Sequence, residues 1–290
     1  MLAEMWRIKR NATRRKGYFL WVWLVLALCA SNSGKAQDLA QFFGATPGAF
    51  VLYDQRINRY VRYNEERCRE RFTPFSTFKI PNSIIGLETK VIANAETQMR
   101  WEPKRFPESV NWTQSPYVDW KHDHTLRSAM KYSVVWYYRE LARRVGEERM
   151  RRMVAQLGYG NKDVSGVWDS PNLFEAFWIN GSLRISADEQ VEFLRKFYAG
   201  ELPVASRTTK IVKEILTLEK TAGYTLSGKT GGGTLAENRA FGWFVGYVEA
   251  KGYVCFFALN LEGPNFASIR ERRIELTKQM LTALGYLPPS

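Results

Sequence analysis

The chain has 290 residues, 45% of them apolar and 14% aromatic, enough to bury a large core and too apolar for disorder along its length. Its formal charge of +13 comes from 42 Lys and Arg against 29 Asp and Glu. The bases stand singly or in pairs among acids, as in "EERCRERF" and "RRVGEERMRR", so they read as solvated faces and not as a nucleic-acid stripe.

Much of the excess sits at the start. Residues 1–36 hold seven bases and one acid, which leaves 35 bases against 28 acids, a net of +7, in the remainder. Basic "RIKRNATRRKG" followed by apolar "YFLWVWLVLALCA" and small, polar "SNSGKAQ" has the form of a secretory signal. The apolar run is shorter than the roughly 20 residues of a spanning helix, so no stable membrane anchor is expected. Cys29 follows Leu28, where a lipoprotein signal wants a small residue. The reading is a signal peptide over 1–36, cleavage after Ala36, and a periplasmic protein from 37 to 290. Loss of the signal leaves Cys68 and Cys255, either a pair or two buried thiols.

"GAFVLYDQRINRYVRYN" alternates apolar and polar residues, two strands around a turn near Gln55–Asn58. "STFKIPNSIIGLETKVI" shifts to helical spacing, with Phe78, Ile84, Ile85 and Leu87 inward and Pro81 in the first turn. From about 120 to 200 the pattern is helical: "HTLRSAMKYSVVWYYRELARRVG" as one helix, then "EERMRRMVAQLG" and "SADEQVEFLRKFYAG", each ending near glycine. "TKIVKEILTLEK" reads as a further helix, followed by three strands and a last helix, "RRIELTKQMLTALG". The layout is α/β, an antiparallel sheet flanked by helices with an inserted all-α lobe. The sheet lobe covers about 37–75 and 205–290, the helical lobe about 76–204, and the cleft between them is the natural site.

Several short motifs bear on chemistry. "GYTLSGKTGGG" fits the phosphate-loop pattern at Gly223, Gly228, Lys229 and Thr230. A phosphate loop needs a buried strand before it and a helix after it. "TLEKTA" is too polar for the first, and an aromatic, β-branched strand follows, so no nucleotide is expected. Ser76 and Lys79 in "STFK" are three apart and share a helix face. A serine at the helix start beside a lysine made neutral by burial is a nucleophile and its base; equally, the pair is an N-cap and a solvated lysine. His122 and His124, the chain's two histidines, have no cysteine or third histidine nearby to complete a metal set and read as a polar helix entry, which also disfavours a Ser-His-Asp triad.

Taken together, Ser76-x-x-Lys79, Ser133-Val134-Val135, Tyr159-Gly160-Asn161 and Lys229-Thr230-Gly231 stand in an order that resembles the class D, oxacillinase-type, serine β-lactamases. The resemblance runs over residues 40–287, including "FWINGSLRISADEQVEFL" and "GWFVGYVE". It implies that Ser76 is acylated, that the backbone N–H groups of Ser76 and Gly232 form an oxyanion hole, and that Ser133 relays a proton to the leaving nitrogen. It implies a substrate site at Val135, Lys229, Thr230, Gly231 and Gly232, completed by an arginine of the last helix: Arg273, with Arg270 and Arg272 as alternatives. It also implies that Lys79 carries a carboxyl group from carbon dioxide, held by Trp178, with no other cofactor and no metal. The expected function is hydrolysis of β-lactam antibiotics; the alternative is a β-lactam sensor that acylates without efficient turnover.

Overall fold

A computed structural model describes residues 39–108, 112–113, 117–235, 239–250 and 252–289. Two units meet at Gly44/Ala45. Of the first, only 39–44 is described, with helix from 39 to 43; the expected signal, 1–36, and Cys29 lie outside the described residues. The second unit carries the fold.

The strand-forming runs near the two ends of the chain meet in one sheet. β1 (Gly48–Asp54) and β2 (Arg59–Tyr63) are the expected hairpin. A helical excursion follows: α1 (Glu65–Arg69), α2 (Lys79–Glu88), a two-residue pair of β3 (Gln98–Met99) and β4 (His124–Thr125), then α3 (Leu126–Lys131), α4 (Val135–Val145), α5 (Glu147–Leu157), α6 (Ala187–Ala199) and α7 (Ser206–Leu216). The chain returns through β5 (Thr217–Lys220), β6 (Tyr224–Thr234), β7 (Ala240–Ala250) and β8 (Tyr253–Gly263), and ends in α8 (Phe266–Arg270) and α9 (Arg272–Ala283). Strand order is β2-β1-β8-β7-β6-β5, antiparallel throughout. An antiparallel sheet flanked by helices, with a helical lobe inserted, is therefore the architecture found.

β1, β7 and β8 are buried along nearly their whole lengths because helices cover both faces. On one face Trp243 Nε1 donates to Thr73 O at 2.9 Å and Tyr247 packs edge-on to Tyr198 of α6. On the other, a Cβ at Gly242 would touch Arg273 and Ile269, so α8 and α9 lie there. Helix ends follow local chemistry. Ser186 and Glu189 form a capping box that starts α6, and Gly200, at φ +73°, ends it.

Two expectations need correction. "TLEK" does not continue α7; Thr217–Lys220 is a fourth returning strand, largely exposed at the sheet edge, and its polarity is that of an edge. The single helix expected over "HTLRSAMKYSVVWYYRELARRVG" is two, α3 and α4, broken at Tyr132–Val134 with Ser133 in the left-handed region at φ +55°. Cys68 and Cys255 are free and buried; burial pushes the Cys68 thiol up to about 12.

Candidate active site

The motif around Ser76 forms a tight 3-10 turn, Phe75–Phe78, that runs into α2. The helix proper begins at Lys79 with no capping side chain, so the N-cap reading of Ser76 is not realised. Lys79 Nζ donates instead to Ser76 Oγ at 2.7 Å. Phe75, just before the serine, has φ +49°, a conformation that costs a non-glycine residue about 1–2 kcal/mol.

The turn holds that shape because of what it rests on. Side chains alternate along β6, and Lys229, Gly231 and Gly233 pair with Val245, Trp243 and Phe241 on the face that meets the turn. A Cβ at Gly231 would come within 2.9 Å of Pro74 O and 3.1 Å of Thr77 N, and one at Gly233 within 2.3 Å of the Phe75 ring. Glycines let the turn lie directly on strand backbone. Behind it, Thr77 Oγ1 donates to Pro74 O at 2.7 Å and accepts from Gln190 Nε2 at 2.8 Å, with the Tyr159 hydroxyl 3.4 Å away. Asn161 does separate work: its amide donates to Ser182 O and its carbonyl accepts from Arg184 N, at 2.9 and 3.0 Å, which closes the 162–183 excursion at its base.

A cavity of about 230 Å³ opens over Ser76. Ser133, Val135, Lys229, Thr230, Gly231, Gly232 and Arg273 all line it. Two designated residues do not. Lys79 lies beneath Ser76, with its amine 5.5 Å from the centre of the Tyr138 ring, and Trp178 lies one layer back, stacked on Phe78 at 5.4 Å. Of the three candidate arginines, Arg273 is buried and donates through Nη1 to Gly231 O. Arg270 also borders the cavity, in an ion pair with Glu271 at 3.4 Å; Arg272 does not border it. An open hollow of about 710 Å³ near Tyr198, Tyr224 and Tyr253 is larger but has no serine–lysine pair, so volume alone does not mark the site.

Sequence reasoning missed the cavity's apolar wall: Tyr117, Trp120, Phe174, Ile179 and Phe266. These come from three distant segments with no common local pattern. It also missed Gln190. His124 is placed structurally, its ring nitrogens 2.9 Å from Ser128 Oγ and 2.7 Å from Asp119 O, where it fixes the start of α3.

Three cations crowd the buried side of this cavity. Burial, and then the charge of Lys229, holds the Lys79 amine well below the usual lysine range. Burial, and then Arg273, brings Lys229 down to about 7. Burial also lowers Arg273, to about 10, which keeps it charged at neutral pH. Such a group offers a neutral amine at the serine and a positive field for an anion beside it. Below about pH 7 Lys229 is protonated and attracts an anionic ligand; above it the amine is neutral and that attraction fades. KM for a carboxylate substrate should therefore rise severalfold between pH 6 and 9, and Lys229→Met should flatten the rise; a flat wild-type profile would contradict this assignment.

Residues 28–281 match the family described as penicillin binding protein transpeptidase domain. The chain is 38% identical over 241 residues to β-lactamase OXA-48 of Klebsiella pneumoniae, an alignment that covers 83% of this chain and 84% of that protein. The solved structure of the class D β-lactamase YbXI from Nostoc superposes with a TM-score of 0.76 at 36% identity, over 86% of this chain and 99% of that one. The chain belongs to the class D β-lactamases. Regulatory protein BlaR1 of Bacillus licheniformis is also similar, 35% identical over 254 residues, but this class D chain spans only 39% of its length. The phosphate-loop match is thereby explained: in this class D β-lactamase, Lys229-Thr230-Gly231 lies inside strand β6, and the next described element is strand β7.

Proposed function

We propose that the protein destroys β-lactam antibiotics through an ester on Ser76. The Lys79 side chain takes the proton of Ser76 as Oγ bonds to the lactam carbonyl carbon. The C–N bond breaks, and Ser133 gives its hydroxyl proton to the nitrogen while regaining the one that Lys79 took up, which leaves Lys79 free to act again. The N–H groups of Ser76 and Gly232 receive the oxyanion, each such donor contributing about 3 kcal/mol. Lys229, Thr230 and Arg273 hold the substrate carboxylate, and Val135 lines the floor. Water then attacks the ester, with Lys79 again as base, and Ser76 is restored.

One observation carries this reading: the serine that lines the cavity is bonded at 2.7 Å to an amine that burial keeps below its ordinary pKa. The same burial suits carboxylation of Lys79, since the neutral amine is the form that adds carbon dioxide. In that form Lys79 supplies a carboxylate base, buried beside the Tyr138 ring, with Trp178 as its proposed hydrogen-bond donor. No metal or other cofactor enters the scheme.

Turnover of a chromogenic cephalosporin tests the proposal. Repeated turnovers per molecule support it; a single stoichiometric burst would favour the sensor reading, which rests on the likeness to BlaR1. Export to the periplasm with loss of residues 1–36 belongs to the same reading, from the basic and apolar runs at the N-terminus. The mature N-terminus should fall between Ala30 and Asp38, and a secreted chain that keeps Trp21–Trp23 would contradict it. Among the described residues no helix is long and apolar enough to cross a membrane.

A further inference from the structure

A second hollow, of about 320 Å³, lies away from Ser76, where residues 104–106 face α4 and the 168–171 segment. Lys104, Arg105, Arg139 and Arg143 line it, against one carboxylate, Asp169. Compensation inside the protein is incomplete. Glu140 accepts from Arg105 at 2.7 Å, from Arg143 at 2.8 and 2.9 Å, and from Arg144 at 2.6 Å, so one carboxylate answers three guanidiniums. Arg139 is buried and spends its two Nη groups on the carbonyls of Asn172 and Ser170, at 2.5 and 2.8 Å. Carbonyls satisfy its donors and leave its charge in place. Asp169 acts through space on both Arg139 and Arg143, Glu175 on Arg139 and Glu102 on Arg143, none of the three in a contact ion pair with either arginine. Among the described residues Lys104 has no carboxylate partner.

A buried guanidinium without a contact ion pair is costly, and the donors that Arg105 and Arg143 do not spend on Glu140, together with the Lys104 amine, are of the kind that bind phosphate or sulfate. The volume falls within the range of small-ligand sites. We propose that this hollow binds a phosphomonoester about the size of a sugar phosphate, gripped by Lys104, Arg105 and Arg143 over the fixed charge of Arg139. The phosphoryl group belongs either to a free metabolite or to a lipid headgroup. The proposal stands on this hollow alone and is independent of the activity at Ser76.

The test uses the Lys229→Met protein, which weakens the Ser76 cavity as a competing anion site; Arg273 keeps its charge there, and binding at that cavity would be recognised by its indifference to Lys104→Glu. Titration calorimetry with glucose 6-phosphate should give one site. Lys104→Glu, at a residue without a partner, should weaken it about tenfold, the scale of one charge-assisted contact, and Asp169→Asn should tighten it severalfold. Flotation with phosphatidic-acid vesicles separates the sources. Flotation that glucose 6-phosphate displaces and Lys104→Glu abolishes assigns the lipid, and calorimetric binding without flotation assigns the free ester. Chloride at equal ionic strength competing as well as glucose 6-phosphate, or affinity indifferent to both Lys104→Glu and Asp169→Asn, would overturn the proposal.

Discussion

Ser76→Ala should leave a folded protein that forms no covalent adduct with a penicillin, with kcat/KM for hydrolysis lower by at least about 10⁴-fold, as for nucleophile deletions in other serine hydrolases. The effect is large because nothing can stand in. Ser76 Oγ is the cavity hydroxyl bonded to a buried amine, and its turn is held by Pro74, Thr77 and Gln190 on one side and by the glycines of β6 on the other. Intact-mass spectrometry should show one adduct on the parent and none on the variant. An adduct that persists, on Ser133 for example, would mean the nucleophile is misassigned. Folding should survive, since Ser76 caps no helix.

Lys79→Ala should be nearly as damaging, because in the proposed mechanism it removes the base for both halves of the reaction. The wild type offers a sharper test through pH. The pKa of Lys79 is depressed by burial and by Lys229, so the amine is neutral above that value and charged below it. Protonation abolishes both its basicity and its capacity to add carbon dioxide. Activity should therefore fall on the acid side, and added bicarbonate should restore part of it at pH 5–6. A ¹³C-bicarbonate NMR signal from the carbamate should rise and fall in parallel. Trp178→Ala should slow deacylation more than acylation, so that the acyl-enzyme accumulates. Indifference to bicarbonate after degassing, with no ¹³C signal, would leave the unmodified amine as the base.

Most of this centre was legible in the sequence because its polar members sit in short, rigid motifs. Ser76 and Lys79 share one turn, and Lys229, Thr230 and Gly231 one strand, but either motif alone also reads otherwise, and it was the resemblance carried by their common order that made the site legible. Ser133 was legible as a member of the set but not in conformation. Its helix break has no glycine or proline to announce it; the left-handed turn is closed by Val134 N donating to Ala129 O at 2.9 Å and anchored by Trp120 Nε1 donating to Tyr132 O at 2.9 Å, with Val134 and Val135 buried beyond it. The apolar wall was not legible at all, since Trp120, Phe174 and Phe266 meet only through the tertiary fold. The edge strand Thr217–Lys220 was hidden for a related reason: an exposed edge is written in polar residues, which helices also use.

The glycines at 231–233 bear on the protein's evolutionary future. Any side chain at 231 or 233 collides with the nucleophile's own turn, and one at 232 with Phe266 and the Arg273 guanidinium. These positions are closed to variation whatever drug is applied. Adaptation to new antibiotics should accordingly be recorded elsewhere on the apolar wall, at Tyr117, Phe174 and Ile179, where a change of shape leaves Ser76 undisturbed. In a population passaged under escalating selection, the substitutions that spread should map to that wall while the β6 glycines stay unchanged.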